Sequence, residues 1–322
     1  MKPENLDVTD RKILAELDQD ARISYSELGK RIRVAKETVK YRMERLMKEG
    51  AIQGFYTAVD FSKLGFVVYR LYLRLRNTFP EIEQEIVKYL AESKNVSVLY
   101  RTNGPYHLAM GVWARDIWEY EKFWQDFKHR FGRYVSASHL ALMSDYREFS
   151  RLYLSGGKAE KKSFPVVTKS GKEKLDQLDF RLLTFLSGNA RASIVEIAKK
   201  TGASIVTVRS RLKRLMDKKV IVGFRPMLNL NALGREYYKV DLWLSKFDKA
   251  EEIAGHILSN PNVIYAEKTL VTSDLEFDVE IENFDKFISL MDSFKAKFPE
   301  DVQDYSYYSL VKNYKTSFVP SL

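Results

Sequence analysis

The stretch Ser24-Tyr-Ser-Glu-Leu-Gly-Lys-Arg-Ile-Arg-Val-Ala-Lys-Glu-Thr-Val-Lys-Tyr-Arg-Met-Glu-Arg-Leu-Met47 contains two short helices and the turn between them. Ser24 and Glu27 have capping-box spacing: the serine oxygen accepts a free backbone N–H while the glutamate reaches back to the cap. The helix that starts there turns Leu28 and Ile32 inward, and Arg33-Val34 makes a tight turn. The next helix, from about Lys36 to Glu49, places Val39, Met43 and Leu46 at i, i+4 and i+7, which is one buried stripe. Upstream, Ile13, Leu14 and Leu17 give a preceding helix its apolar face. Three short helices with a basic face on the third form a helix-turn-helix pattern, whose third helix is expected to enter a DNA major groove.

The pattern occurs twice. Adding 169 to a residue number maps residues 6–55 onto 175–224 without a gap, with 19 identities. Ala21-Arg22-x-Ser24-x-x-Glu27 returns as Ala190-Arg191-x-Ser193-x-x-Glu196, and Thr38-Val39-x-x-Arg42-x-x-Arg45-Leu46-Met47 as Thr207-Val208-x-x-Arg211-x-x-Arg214-Leu215-Met216. The position after the third helix, where a left-handed residue stops a helix best as glycine, is Gly50 in the first copy and Lys219 in the second. Tandem duplication follows.

After each helical unit the period changes from 3.6 to 2. Ile52–Val59 and Ile221–Leu228 read as short connecting strands. In the first half strands follow at 67–76, 96–102, 107–112 and 135–143, with helices at 81–93 and 117–131. The second half repeats the order with strands at 239–244, 263–270, 275–281 and 302–314 and helices at 251–259 and 284–298. This βαββαβ order is the ferredoxin-like arrangement. Tyr305, Tyr307 and Tyr308 suit sheet packing. The expected fold class is α+β: two winged, three-helix helix-turn-helix domains (1–60 and 175–229), each followed by a ferredoxin-like domain (61–154 and 230–322). Residues 155–174, rich in Gly and Ser with six lysines against two glutamates, are expected to be a solvated tether.

Composition narrows the function. The 322 residues carry a net charge of +10, which suits a polyanionic partner. Zero cysteines remove disulfides, thiolate nucleophiles and cysteine-bound zinc. No apolar signal core or membrane-length run is present, so a cytoplasmic location and no membrane partner are expected. His107, His129, His139 and His256 have no metal-ligand spacing. Neither a phosphate-binding glycine loop nor a nucleophile elbow occurs, so no cofactor, no metal and no catalytic residue is expected.

The candidate DNA contacts are the exposed positions of the third helices. Lys36, Glu37, Lys40 and Tyr41 in the first copy, and Ile205, Val206, Arg209 and Ser210 in the second, are placed to reach base edges. Arg42, Arg45, Arg211, Lys213 and Arg214 lie further along and suit phosphate contact. Ser204 caps the second recognition helix, whereas the first has Ala35, a loss worth about 1 kcal/mol.

Leu6-Asp7-x-x-Asp10-Arg-Lys-Ile-Leu14, Asp20-Ala-Arg-x-Ser-x-x-Glu-Leu-Gly29, Thr38-Val-x-x-Arg42 and Gly50-x-Ile52 together resemble the N-terminal signature of the Lrp/AsnC family, in which a chain ordinarily carries one such unit. The resemblance covers both halves. It implies that the α/β domains are sensor domains that pair into dimers and larger assemblies, so the chain is expected to be a homo-oligomer or an intrachain pseudo-dimer. It also implies an amino-acid effector near the turn between the second and third sensor strands, where the family shows glycine followed by an acidic residue. The residues at that turn are Asn103, Gly104 and His107 in the first copy and Thr272, Ser273 and Asp274 in the second, so neither copy has the whole pattern. The resemblance implies a sequence-specific, double-stranded-DNA-binding transcription regulator and no enzyme. Two other readings stay open. One is an architectural DNA protein held by charge. The other is an enzyme like the siroheme decarboxylases, which share this domain pair and would need basic and histidine side chains facing a large cavity; Arg101 with His107 is the local candidate.

Overall fold

The computed structural model describes residues 6–157, 159–270 and 273–320, which leaves Thr272 outside the described residues. Helices α1 (Val8–Gln19), α2 (Tyr25–Ile32) and α3 (Lys36–Lys48) form the first helical unit. α1 starts on a reciprocal cap: Asp7 accepts the Asp10 N–H at 2.8 Å and Asp10 accepts the Asp7 N–H at 3.2 Å. Leu14, Leu17, Leu28, Val39, Met43 and Leu46 fill the core. The chain continues through β1 (Ile52–Val59) and the one-turn helix α4 (Phe61–Leu64). The first sensor domain is β2 (Val67–Leu75), α5 (Pro80–Glu92), β3 (Val96–Asn103), β4 (Leu108–Ala114), α6 (Ile117–Phe131) and β5 (Val135–Phe149). Its antiparallel sheet runs β5-β2-β4-β3, with α5 and α6 packed on the face of Leu71, Leu73, Met110 and Val112.

The segment expected to be a solvated tether carries a strand instead. β6 (Ser163–Val167) pairs with β5, and Phe164, Val166 and Val167 are buried. Four apolar residues amid six lysines are too short a run to stand out from composition, and Pro165 is tolerated because β6 is an edge strand.

The second half repeats the plan: α7 (Gln177–Ser187), α8 (Ile194–Thr201), α9 (Ile205–Asp217), β7 (Ile221–Leu228), α10 (Leu230–Leu233), β8 (Glu236–Leu244), α11 (Ala250–Ser259), β9 (Val263–Leu270), β10 (Leu275–Ile281), α12 (Phe284–Lys297) and β11 (Val302–Thr316). The second sensor sheet runs β11-β8-β10-β9, and α11 and α12 cover its apolar face.

Strand pairing joins the halves at two places among the described residues. β1 and β7 pair with each other, antiparallel. β3 pairs with β11 and β9 with β5, so that with the β2–β5 pairing eight strands close into a ring. Residues that alternate with the helix-facing set therefore point inside. Arg70, Lys239, Glu267, Glu276 and Asp278 are all buried there. Arg70 of the first half pairs with Glu267 of the second, and Lys239 lies 3.1 Å from Glu267, 2.7 Å from Glu276 and 3.6 Å from Asp278. Carboxylates outnumber cations in this set. Burial pushes the Asp241 carboxyl up to about 6, with Lys239 opposing and Glu276 and Asp278 adding to the shift.

A second buried set fastens the first helical unit to the ring. Asp18 on α1 accepts from Arg225 on β7 at 2.7 Å and from Arg151 at 2.8 Å, and Arg151 reaches Glu280 on β10 at 2.8 Å. Burial opposes ionisation of Asp18, but Arg225 and Arg151 hold its carboxyl below the usual range. The matching position in the second unit is Ser187, and that unit sits on an apolar seat of Val59, Leu64, Phe66 and Trp113.

Because the folded pKa of Asp241 lies above its ordinary 3.8, the folded protein binds the extra proton and stability falls as pH rises from about 4 to 6. Asp241→Asn should remove that fall. Denaturant midpoints should match the parent near pH 4 and exceed it near pH 8 by the equivalent of about 1–3 kcal/mol. Equal midpoints near pH 8 would show that the interior charge excess is not carried by Asp241.

Candidate nucleic-acid interface

The recognition helices start as their sequences demand. Ala35 gives α3 no side-chain cap, whereas Ser204 accepts the Thr207 N–H at 3.1 Å at the start of α9. The capping box expected at Ser24 is only half formed. Ser24 accepts the Glu27 N–H at 3.1 Å, but Glu27 turns along α2 to Arg31 at 3.2 Å. The Ser193–Glu196 box is complete.

Lys36, Glu37, Lys40 and Tyr41 on α3, and Ile205, Val206, Arg209, Ser210 and Lys213 on α9, are exposed. Tyr41 is 67% accessible and Val206 78%, so these large side chains have no packing role in the chain itself. The Lys40–Glu44 pair, 3.8 Å apart and exposed on both sides, holds Lys40 only weakly. One face is polar and mixed in charge, and the other is apolar at its leading edge.

The four arginines expected at phosphates have another occupation. Arg42 lies 2.6 Å from Asp7 and 3.0 Å from Asp10, and Arg45 bonds Asp10. Arg211 lies 2.6 Å from Asp176 and 3.2 Å from Asp179, and Arg214 bonds Asp179. Asp10 and Asp179 are fully buried. These arginines therefore tie α3 to the cap of α1 and α9 to the cap of α7. Helical spacing shows which flank of α3 an arginine occupies, but not that an aspartate cap from another helix comes against it.

Sequence reading also gave no role to the repeated Ala-Arg pair, although its identity in both copies was the available signal. Arg22 donates to the carbonyls of Ala190 at 2.5 Å and Ala192 at 3.1 Å. Arg191 donates to the carbonyls of Ala21 and, at 3.1 Å, Ile23. The Ala21 N–H donates to Phe224 and the Ala190 N–H to Phe55. The two helical units thus grip each other by the same contacts in both directions, as an isologous pair would.

The turn residues are spent on the sheets. His107 Nδ1 accepts the Leu75 N–H at 3.1 Å, and Asp274 accepts the Leu244 N–H at 2.7 Å. Leu75 and Leu244 end β2 and β8, so the histidine and the aspartate do the same work in the two copies. Ser273 donates to Glu276 at 3.0 Å. Asn103 is exposed, and a Cβ on Gly104 (φ +146°) would lie 2.9 Å from that of Tyr308, so the first turn is seated against β11 of the other half. Arg101 donates to Glu83 at 2.9 Å. Neither Arg101 nor His107 lines the cavities of about 100 and 580 Å³.

Urea melts of single variants separate anchors from readers. Arg42→Ala should cost about 1–3 kcal/mol by removing one of the two cations on buried Asp10 and the partner of Asp7. Lys40→Ala should stay within about 0.5 kcal/mol of the parent, and Ala35→Ser should add up to about 1 kcal/mol. An unchanged midpoint for Arg42→Ala would return that arginine to the DNA backbone.

Residues 6–47 match the AsnC-type helix-turn-helix domain and residues 175–222 a winged helix-turn-helix DNA-binding domain. The chain is 36% identical over 118 residues to an uncharacterized HTH-type transcriptional regulator of Pyrococcus horikoshii, covering 37% of this chain and 73% of the relative. It is 33% identical to the HTH-type transcriptional regulator Ptr1 of Methanocaldococcus jannaschii (36% of this chain, 80% of the relative) and 30% identical to LrpA of Pyrococcus horikoshii (34% and 77%). Across 98% of its length the fold is similar to the crystal structure of the siroheme decarboxylase NirDL, at a TM-score of 0.66, 14% identity and 94% coverage of that chain.

Proposed function

Because the chain belongs to the Lrp/AsnC family of helix-turn-helix transcription regulators, we propose that it reads one composite DNA site as an intrachain pseudo-dimer. The observation that carries this is the reciprocal Arg22–Arg191 grip, which holds two exposed recognition helices in one fixed relation. A symmetric platform with unlike readers suits an imperfect palindrome whose half-sites are about one helical turn, or a multiple of it, apart. On α9, exposed Val206 and Ile205 suit a thymine methyl and Arg209 a guanine edge. On α3, Lys40 suits guanine. No helix among the described residues is long and apolar enough to cross a membrane.

In this reading the chain regulates and does not catalyse. The amino-acid effector implied by the resemblance gains little from the two turns, because His107 and Asp274 already accept strand-end N–H groups. Whole-chain likeness of fold to a siroheme decarboxylase favours a second reading, action on a tetrapyrrole. Incubation with siroheme separates the two: an altered visible spectrum together with a decarboxylated product would establish the enzyme.

The direct test is recovery of sheared genomic DNA on the full chain at near-physiological salt, followed by sequencing. An enriched motif with two unlike half-sites supports the proposal, and uniform recovery makes the protein architectural, with charge supplying most of its affinity. Once the motif is known, Lys40→Ala should relax one half-site and Arg209→Ala the other, each by about 1–3 kcal/mol of discrimination. Replacing thymine by uracil under α9 should weaken the parent but not Val206→Ala. Equal loss in both half-sites for either charge variant would sink the assignment of readers.

A further inference from the structure

A cleft of about 580 Å³ lies between the two helical units. Its wall combines the end of α1, β6, a residue of β5, and the turn from α9 into β7. Met216 and Phe224 make part of it apolar, and Arg147, Lys162 and Lys219 bring three cations against one carboxylate, Asp20. Most of these charges are answered. Arg147 holds Asp145 at 2.8 and 3.1 Å, Lys162 donates to the Gln19 carbonyl at 3.0 Å, and Asp20 accepts the Arg22 N–H at 2.9 Å. The ammonium of Lys219 has no ion-pair or hydrogen-bond partner among the described residues.

Lys219 also sits where a side chain is unwelcome. Its φ is +54°, in the left-handed region, and the matching residue of the first half is Gly50 at φ +76°. The first copy shows that glycine is sufficient for this helix stop. Arg33, at φ +60° against Gly202 at +67°, shows that such an exchange also occurs at another helix stop, so what sets Lys219 apart is its place on the wall of the cleft with an unanswered charge.

We propose that this cleft binds an organic anion, a carboxylate, sulfonate or phosphate group on an apolar body, with Lys219 as its charge partner and Met216 and Phe224 against its apolar part. The occupant touches α1 of the first unit and the α9–β7 turn of the second, so it braces the spacing of the recognition helices. Binding stands on the cleft alone. Its effect on DNA rests on the regulator reading, through the linkage that makes ligand and operator alter each other's affinity by one factor.

The test titrates the full chain with anilinonaphthalene sulfonate, an anion with an apolar body, followed by its fluorescence and by calorimetry. The parent should bind one equivalent. Lys219→Gly should weaken binding about tenfold, as expected for loss of a charge-assisted contact, while melting about 2 °C higher because the strain is gone. Lys219→Arg should keep the affinity. No saturable binding by the parent, or equal binding by the glycine variant, overturns the site. So does weaker binding of random duplex by Lys219→Gly without the probe, with a salt slope lower by about one, because that result gives Lys219 to the DNA backbone. Failure to bind any DNA leaves the probe result standing and removes only the regulatory consequence.

Discussion

A four-stranded sheet with helices on one side leaves its other face and both edges uncovered, and in this chain each half supplies the cover for the other. Edge strand β3 is taken up by β11 and β9 by β5, so neither half keeps an open edge at those seams. The inward faces carry charge, and Arg70 of one half meets Glu267 of the other across the seam. A one-residue slip in either strand would turn these groups toward the helices, so the ion pair fixes register as well as contact. The ring sets where β1 and β7 emerge, and their pairing with the Arg22–Arg191 grip sets how the recognition helices stand.

Much of this was legible from residues alone, for local reasons. The duplication, the three-helix units, the βαββαβ order, the missing cap at Ala35 and the left-handed stop shared by Gly50 and Lys219 depend on spacing or on single residues. The ring was not legible. Leu275-Glu-Phe-Asp-Val-Glu-Ile281 alternates as a strand with one wet face would, yet every one of its residues is buried. Glu276 and Asp278 face Lys239 of β8, and Glu280 is met by Arg151 and Tyr153 from beyond the end of β5, partners far away in sequence that no local pattern reports. The ion pairs of the α3 and α9 arginines were not legible for the same reason: their partners, Asp10 and Asp179, belong to other helices.

Fusion relaxes a constraint that a symmetric dimer cannot escape. In a homodimer every contact across the axis must have its reciprocal. The Asp18–Arg225 pair has none: the matching positions are Ser187 and Tyr56, and Tyr56 donates instead to Glu148 at 2.7 Å. Such a one-way contact, buried and charged, joins only the first helical unit to the interior of the ring, while the second rests on apolar packing.

The same freedom explains which features stayed alike. The Arg22 and Arg191 contacts remain matched because each unit needs the other's carbonyl groups, so a change on one side would strand donors and acceptors on both. The exposed faces of α3 and α9 carry no such obligation, and they differ at every leading position, Lys36-Glu37 against Ile205-Val206 and Lys40-Tyr41 against Arg209-Ser210. The interior also diverges, conservatively at Met43 against Leu212 and Leu28 against Ile197 and in kind at Asp18 against Ser187, but only the exposed leading positions can change without cost to packing. The reader faces are therefore the part of each unit that two unlike halves of an outside partner can shape while the grip stays matched.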